Sequence, residues 1–260
     1  MILDFGNPTK IESFVDAVQK YADKEFQSPF RSTVPMLSLL HHAPKHFASI
    51  VGEIGRKSID KVILEYQVPP KLGRGQASHT DAMVIKNGQS LAIEAKWTEP
   101  IGQNVENWLS KGSNSGNRHD VLRGWLEMVG LQISTKAAVA KFNKQIYQMI
   151  HRAASARHTA RQRGGPATMA YFLFRSENPL RSTASTDAVE NKLSELWDLI
   201  GRPHDLTFCI VEIGIHPTAV YTDALLLKKG LDSTADVVVE KLMGLKPIFK
   251  FGQEKITWIG

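Results

Sequence analysis

Hydrophobic positions change period along this chain, and the change divides it into helical and extended segments. Ile11, Phe14, Val15, Val18 and Tyr21 recur at helical spacing after Asn7-Pro8-Thr9, which reads as a helix start. A second helix is predicted from Met36 to about Ile54, with an irregularity at Pro44, where the ring removes a backbone donor. From residue 61 the pattern becomes extended. Lys61 to Val68 is a strand ending at Pro69-Pro70, and Lys71 to Gln76 is a basic, glycine-containing loop. Thr80 to Lys86 and Gln89 to Trp97 are two further strands joined through Asn87-Gly88, the strongest short hairpin signal in the chain.

Beyond Thr98 the chain turns polar. Residues 111–117, KGSNSGN, read as a flexible loop, and a long helix or helix pair is expected over roughly Asp120 to Arg161. Ala167 to Arg175 and Leu206 to Ile215 are apolar enough to be buried strands, with a helix over Thr186 to Ile200 between them and a mixed region from Ala219 onward. There are no repeats and no clear linker, so the expectation is one α/β domain over residues 1–260.

Composition narrows the class. With 260 residues, 42% of them hydrophobic, the chain can bury one substantial core. No apolar run approaches the roughly 20 residues of a membrane span, and the first twenty residues lack a secretory pattern, so a soluble cytoplasmic protein is expected. Cys209 is the single cysteine and sits in an apolar run, which removes disulfides and thiolate metal sites and makes it a core residue. The net charge of +6 is unevenly spread: from Met128 to Ser176 there is no acid, and eight cations run from Lys136 to Arg175. The rest of the chain holds 24 basic against 26 acidic residues, so all the positive excess lies in one segment, as a phosphate backbone would favour.

The hairpin carries the chemistry. A two-residue turn at Asn87-Gly88 pairs Lys86 with Gln89, and the same register sets Asp81 opposite Glu94. Alternation puts Glu94 and Lys96 on one face and Leu91, Ile93, Ala95 and Trp97 on the other. Two carboxylates facing each other at roughly 5 Å destabilise a sheet unless a cation lies between them. Oxygen-only ligands suit Mg²⁺ or Mn²⁺ rather than zinc.

The stretch SHTDAMVIKNGQSLAIEAKW resembles the PD-(D/E)xK, or restriction-endonuclease-like, nuclease superfamily. The matching residues are Asp81, a gap of twelve, and Glu94-Ala95-Lys96; Thr80 stands where the motif usually has proline. The element order is similar over about residues 36–175, leaving 1–35 as an N-terminal helical extension and 176–260 as a C-terminal α/β embellishment. The resemblance implies a mixed β-sheet flanked by helices. It also implies Asp81, Glu94 and the backbone carbonyl of Ala95 as Mg²⁺ or Mn²⁺ ligands, with Lys96 orienting or activating the attacking water. A further acid is common in the superfamily; Glu65 is the first choice and Glu53 its rival. Several subfamilies place a glutamine on the helix after the third strand, where Lys141, Gln145, Gln148 and Arg152 fall on one helical stripe. The implied activity is metal-dependent endonucleolytic hydrolysis of DNA, with RNA left open, in a role such as restriction or phage defence. Arg74, Lys141, Lys144, Gln145, Gln148 and Arg152 are the candidate nucleic-acid contacts, and a second copy or a larger nuclease complex is a candidate partner. The alternative is a nucleic-acid-binding or assembly subunit that keeps the fold and is inactive alone.

Other constellations are weaker. His42 and His46 have the spacing of a helical zinc pair, but Pro44 interrupts them and the glutamate of the usual motif is missing. Gly73-Arg74-Gly75 lacks the spacing of a phosphate-binding loop and reads as a flexible basic loop near Asp81. Trp97 and Trp108 are either base-stacking residues or walls of the core.

Overall fold

Strands that are apolar on both faces need cover on both sides, and the central strands of this chain are of that kind. The computed structural model describes residues 2–6, 9–21, 25–26, 28–55, 59–111, 115–133, 135–176, 183–228 and 234–260. The elements in chain order are β1 (Ile2–Phe5), β2 (Thr9–Lys10), α1 (Phe14–Gln19), α2 (Thr33–His42), α3 (Pro44–Glu53), β3 (Lys61–Val68), β4 (Ser78–Lys86) and β5 (Gln89–Lys96). Next come α4 (Val105–Ser110), α5 (Ser115–Met128), α6 (Lys136–Ala140), α7 (Tyr147–Arg161) and β6 (Ala167–Arg175). The last five are α8 (Thr186–Leu199), β7 (Leu206–Pro217), α9 (Ala219–Lys228), α10 (Thr234–Met243) and β8 (Phe249–Ile259).

The fold is α/β, with one eight-stranded mixed sheet in the order β2-β1-β3-β4-β5-β6-β7-β8. β1–β3, β5–β6 and β6–β7 pair parallel and the other neighbours antiparallel. Alternation splits the apolar residues between two cores. Val62, Leu64, Ala82, Val84, Leu91 and Ile93 pack under α1, α2, α3, α9 and α10. Ile63, Met83, Ile85, Ala92 and Tyr171 pack under α4, α5, α6, α7 and α8.

The hairpin turn is as its sequence dictates: Asn87 and Gly88 both have positive φ, 43° and 80°, and Lys86 pairs with Gln89. The Pro44 irregularity is a full break. Ala43, at φ −133° and ψ 49°, ends α2, and Pro44 opens α3 at the position where its missing N–H costs nothing.

Three expectations are corrected. The N-terminal 35 residues are not purely helical, because β1 and β2 join the sheet and Lys61 pairs with the buried Asp4 at 2.7 Å. α1 starts at Phe14 after a Ser13–Asp16 capping box, later than the expected start; Asn7 and Pro8 lie outside the described residues. The long helix or helix pair expected over Asp120 to Arg161 is three helices, α5 to α7. α5 begins inside the expected 111–117 loop, of which 112–114 lie outside the described residues. Gly130, at φ 95°, comes after α5 and cannot continue a helix.

Candidate active site

Register builds the site before any long-range contact does. β4 and β5 pair from Lys86 with Gln89 to Ala82 with Ile93, and there the ladder ends, with Asp81 and Glu94 next in line. Met83 and Ile85 lie on the α7 side of the sheet, as does Ala92; Asp81 and Glu94 continue these two series. On the other flank, β3 and β4 pair Leu64 with Ala82 and Tyr66 with Thr80, and the ladder skips Glu65 and Asp81 between them. Asp81 and Glu94 thus lie side by side, and Glu65 is near enough to act on the charge of Asp81.

The three are treated differently by their surroundings. Asp81 is half-buried, and its Oδ2 accepts the Ala95 N–H at 2.6 Å, a backbone donor at the point where the ladder stops. Burial, reinforced by Glu94 and then Glu65, pushes its carboxyl well above the usual range, and Lys96 and Arg152 offset only part of that. Glu94 is buried. Its Oε1 accepts from Lys96 Nζ at 2.6 Å and Gln148 Nε2 at 2.7 Å, and its Oε2 from Arg152 Nε at 2.5 Å. Burial alone would raise its pKa, but Arg152 and Lys96 outweigh it and keep Glu94 ionised. Glu65 has positive φ, 48°, within its strand, and its carboxylate lies 3.5 Å from His79. Glu53 is exposed at the end of α3.

α7 delivers two of the three partners of Glu94. Gln148 and Arg152 are four residues apart and so share one helix face, while Ala153, Ala154, Ala156 and Ala160 are buried, small enough to let the helix lie close to the sheet. Arg152 Nη1 also donates to Ser78 Oγ at 2.6 Å, and Ser78 Oγ lies 2.9 Å from His151 Nδ1. Arg152 Nη1 also lies 3.2 Å from His151 Nδ1, and a guanidinium can only donate, so Nδ1 is the accepting nitrogen and Nε2 carries the proton. Burial, with Arg152 and Lys96 close by, holds the His151 pKa well below its ordinary value. Beside Glu94 on β6 is Tyr171, fully buried, whose hydroxyl has no hydrogen-bond partner among the described residues; the same is true of Thr80 Oγ1.

The stripe read from a continuous helix is corrected. α7 starts at Tyr147, so Lys141, Lys144 and Gln145 precede it. Gln145 is buried and donates to Glu195 at 2.9 Å, while Lys141 and Lys144 are exposed. The basic segment is also less free than its sequence suggests. Arg152 pairs with Glu94, Arg157 and Arg161 with Asp205, and Arg175 with Glu212. Arg163 is exposed like the two lysines, and the Lys136 side chain is not among those described. Sequence reasoning missed Ser78, His151 and Tyr171, because a serine or tyrosine on a strand carries no distinguishing pattern.

Oxygen donors for a hard cation are present in Asp81, Glu94 and the Ala95 carbonyl, and the raised pKa of Asp81 marks a carboxylate that a cation would relieve. Among the described residues, no group of three or more His, Cys, Asp or Glu is arranged to hold a metal ion. The remaining candidates serve packing: His42 bonds Ser38 and the Gly244 carbonyl, His46 pairs with Glu254, and Cys209 and Trp97 are buried. No described helix is long and apolar enough to cross a membrane. Residues 10–207 match the model of a family described as "Domain of unknown function (DUF6946)". No curated protein and no solved structure matches the chain.

Proposed function

The chain belongs to the DUF6946 family, whose description assigns no activity, and from its site we propose a metal-dependent endonuclease of the restriction-endonuclease-like fold that hydrolyses phosphodiester bonds in DNA. The observation that carries this reading is the juxtaposition of Asp81, Glu94 and Lys96 at the end of the β4–β5 ladder, with the Asp81 carboxylate bonded to the Ala95 N–H. Mg²⁺ or Mn²⁺ held by Asp81, Glu94 and the Ala95 carbonyl would supply a Lewis acid for a phosphate oxygen and the attacking water. Lys96, paired with Glu94 at 2.6 Å, is a charged ammonium and serves to stabilise negative charge on the phosphoryl oxygens rather than to act as a base. Arg152 and Gln148 fix the orientation of Glu94.

One observation favours a second reading. Both oxygens of Glu94 are already met by Lys96, Gln148 and Arg152, so the carboxylate is neutralised without a metal. A nucleic-acid-binding or assembly subunit that does not cleave would have such a closed network.

Cleavage of plasmid, linear duplex and single-stranded DNA with Mg²⁺, Mn²⁺ or EDTA separates the two. The nuclease reading expects metal-dependent cutting that falls at least about a hundredfold in Asp81→Ala and in Lys96→Ala. Absence of cutting and of Mg²⁺ binding by calorimetry, in folded wild type, would leave the second reading standing.

A further inference from the structure

At the start of β4, three residues before Asp81, lies a cavity of about 410 Å³ between the 74–78 segment, α5 and the start of α7. Its chemistry is one-sided. Trp108 and Tyr147 are stacked with ring centres 3.8 Å apart and planes within 11°, and the Arg118 guanidinium lies 5.1 Å from the Trp108 ring centre. Aromatic surface and cation therefore form one wall. Arg74 adds a second positive charge, and no lining residue is acidic.

The wall is held in place rather than draped. Asn117 on α5 accepts the Arg74 N–H at 2.7 Å and donates to the Arg74 carbonyl at 2.6 Å, fixing that backbone at both its polar atoms. Gly73, at φ 76°, packs so closely on α5 that an added Cβ would lie 2.7 Å from Val121 Cγ2. A chain of hydrogen bonds runs from the cavity lining to Glu94. Ser78 and His151 line the cavity, Ser78 accepts from Arg152, and Arg152 donates to Glu94 at 2.5 Å.

A planar aromatic and cationic wall without acids suits a ligand that joins a flat ring to an anionic group. A nucleotide is such a ligand, but a base within a duplex is paired and stacked and must leave the helix to enter a pocket. We propose that this cavity takes an unpaired nucleobase of a nucleic-acid strand whose adjoining phosphate lies toward Glu94, so that single-stranded or distorted strands are preferred over ideal duplex. Base capture stands apart from the nuclease reading, and only cleavage of the captured strand rests on it.

The test is fluorescence anisotropy in EDTA, where nothing is cut, with short single strands of DNA and RNA, the same DNA strand carrying abasic sites, and a matching hairpin duplex. Wild type is compared with Trp108→Ala and Arg118→Gln after their thermal unfolding has been checked. Quenching of wild-type tryptophan fluorescence by thymidine 5′-monophosphate gives a readout that needs no variant. The expected result is at least about fivefold tighter binding of the single strand than of the duplex, with that margin lost in the abasic strand and in either variant. Equal affinity for single strand and duplex, with no quenching, overturns the proposal. Single-strand binding with quenching but no Mg²⁺-dependent cleavage supports the pocket and counts against the nuclease reading. Duplex cutting without single-strand preference does the reverse.

Discussion

Arg152 shows how much one residue can carry in this molecule. It donates to Oε2 of the buried Glu94 and also to Ser78, so truncation leaves that oxygen and the serine without their donor while Lys96 still holds Oε1. Arg152→Ala is expected to destabilise the protein by roughly 1–3 kcal/mol, read as a lower urea midpoint. An unchanged midpoint would mean that Lys96 and Gln148 alone satisfy Glu94. His151 gives a pH-dependent counterpart. Its folded pKa is held well below 6.5, so in acid the unfolded chain takes up a proton that the folded state refuses. Its contribution to stability is complete above about pH 6.5 and declines as pH falls below that value. Urea melts at pH 7 and pH 5 should therefore show a smaller acid loss for His151→Gln than for wild type. Neither role was legible in the sequence: Arg152 read as one more cation in a run without acids, because its partner lies 58 residues away.

Between elements, α5 and the segment after β3 approach each other closely. A Cβ at Gly124 would fall 2.5 Å from the Leu72 amide nitrogen, so only glycine lets the segment lie against the helix. Gly124→Ala sets two effects against each other. Alanine favours a helix interior by about 1 kcal/mol over glycine, but here it pushes backbone away, and displacement of a packed segment is the larger effect. The expected outcome is a net loss of at least about 1 kcal/mol, with weaker single-strand binding because Arg74 moves with the segment; a gain in stability would show that the segment yields freely. The Asn87-Gly88 hairpin was readable in full because turn type and register are set by adjacent residues. The long helix was not, because a polar run with scattered apolar residues fits one helix or three until Gly130 and the packing against β5 and β6 decide.

For the molecule as a whole, tertiary pairing revises the charge map. Eight cations without an acid in residues 128–176 suggest a strong phosphate-binding patch, yet Arg152, Arg157, Arg161 and Arg175 are each paired to an acid from elsewhere in the chain. Should duplex DNA meet the remaining cations, log affinity should fall against log salt with a slope of roughly −3 to −4 rather than the −7 that eight phosphate contacts imply. Filter binding over a salt series measures it, and a slope near −7 would mean that the pairs open on binding. The sequence by itself determined the α/β pattern, the hairpin and the alignment of Asp81 with Glu94 and Lys96, because periodicity and turn chemistry act over a few neighbouring residues. Only the tertiary structure decided that Glu94 is buried and neutralised, that β1 and β2 extend the sheet, and that a cationic aromatic cavity lies at the start of β4. Burial and ion pairing depend on segments far apart in sequence, and nothing local to either partner records which one it will meet.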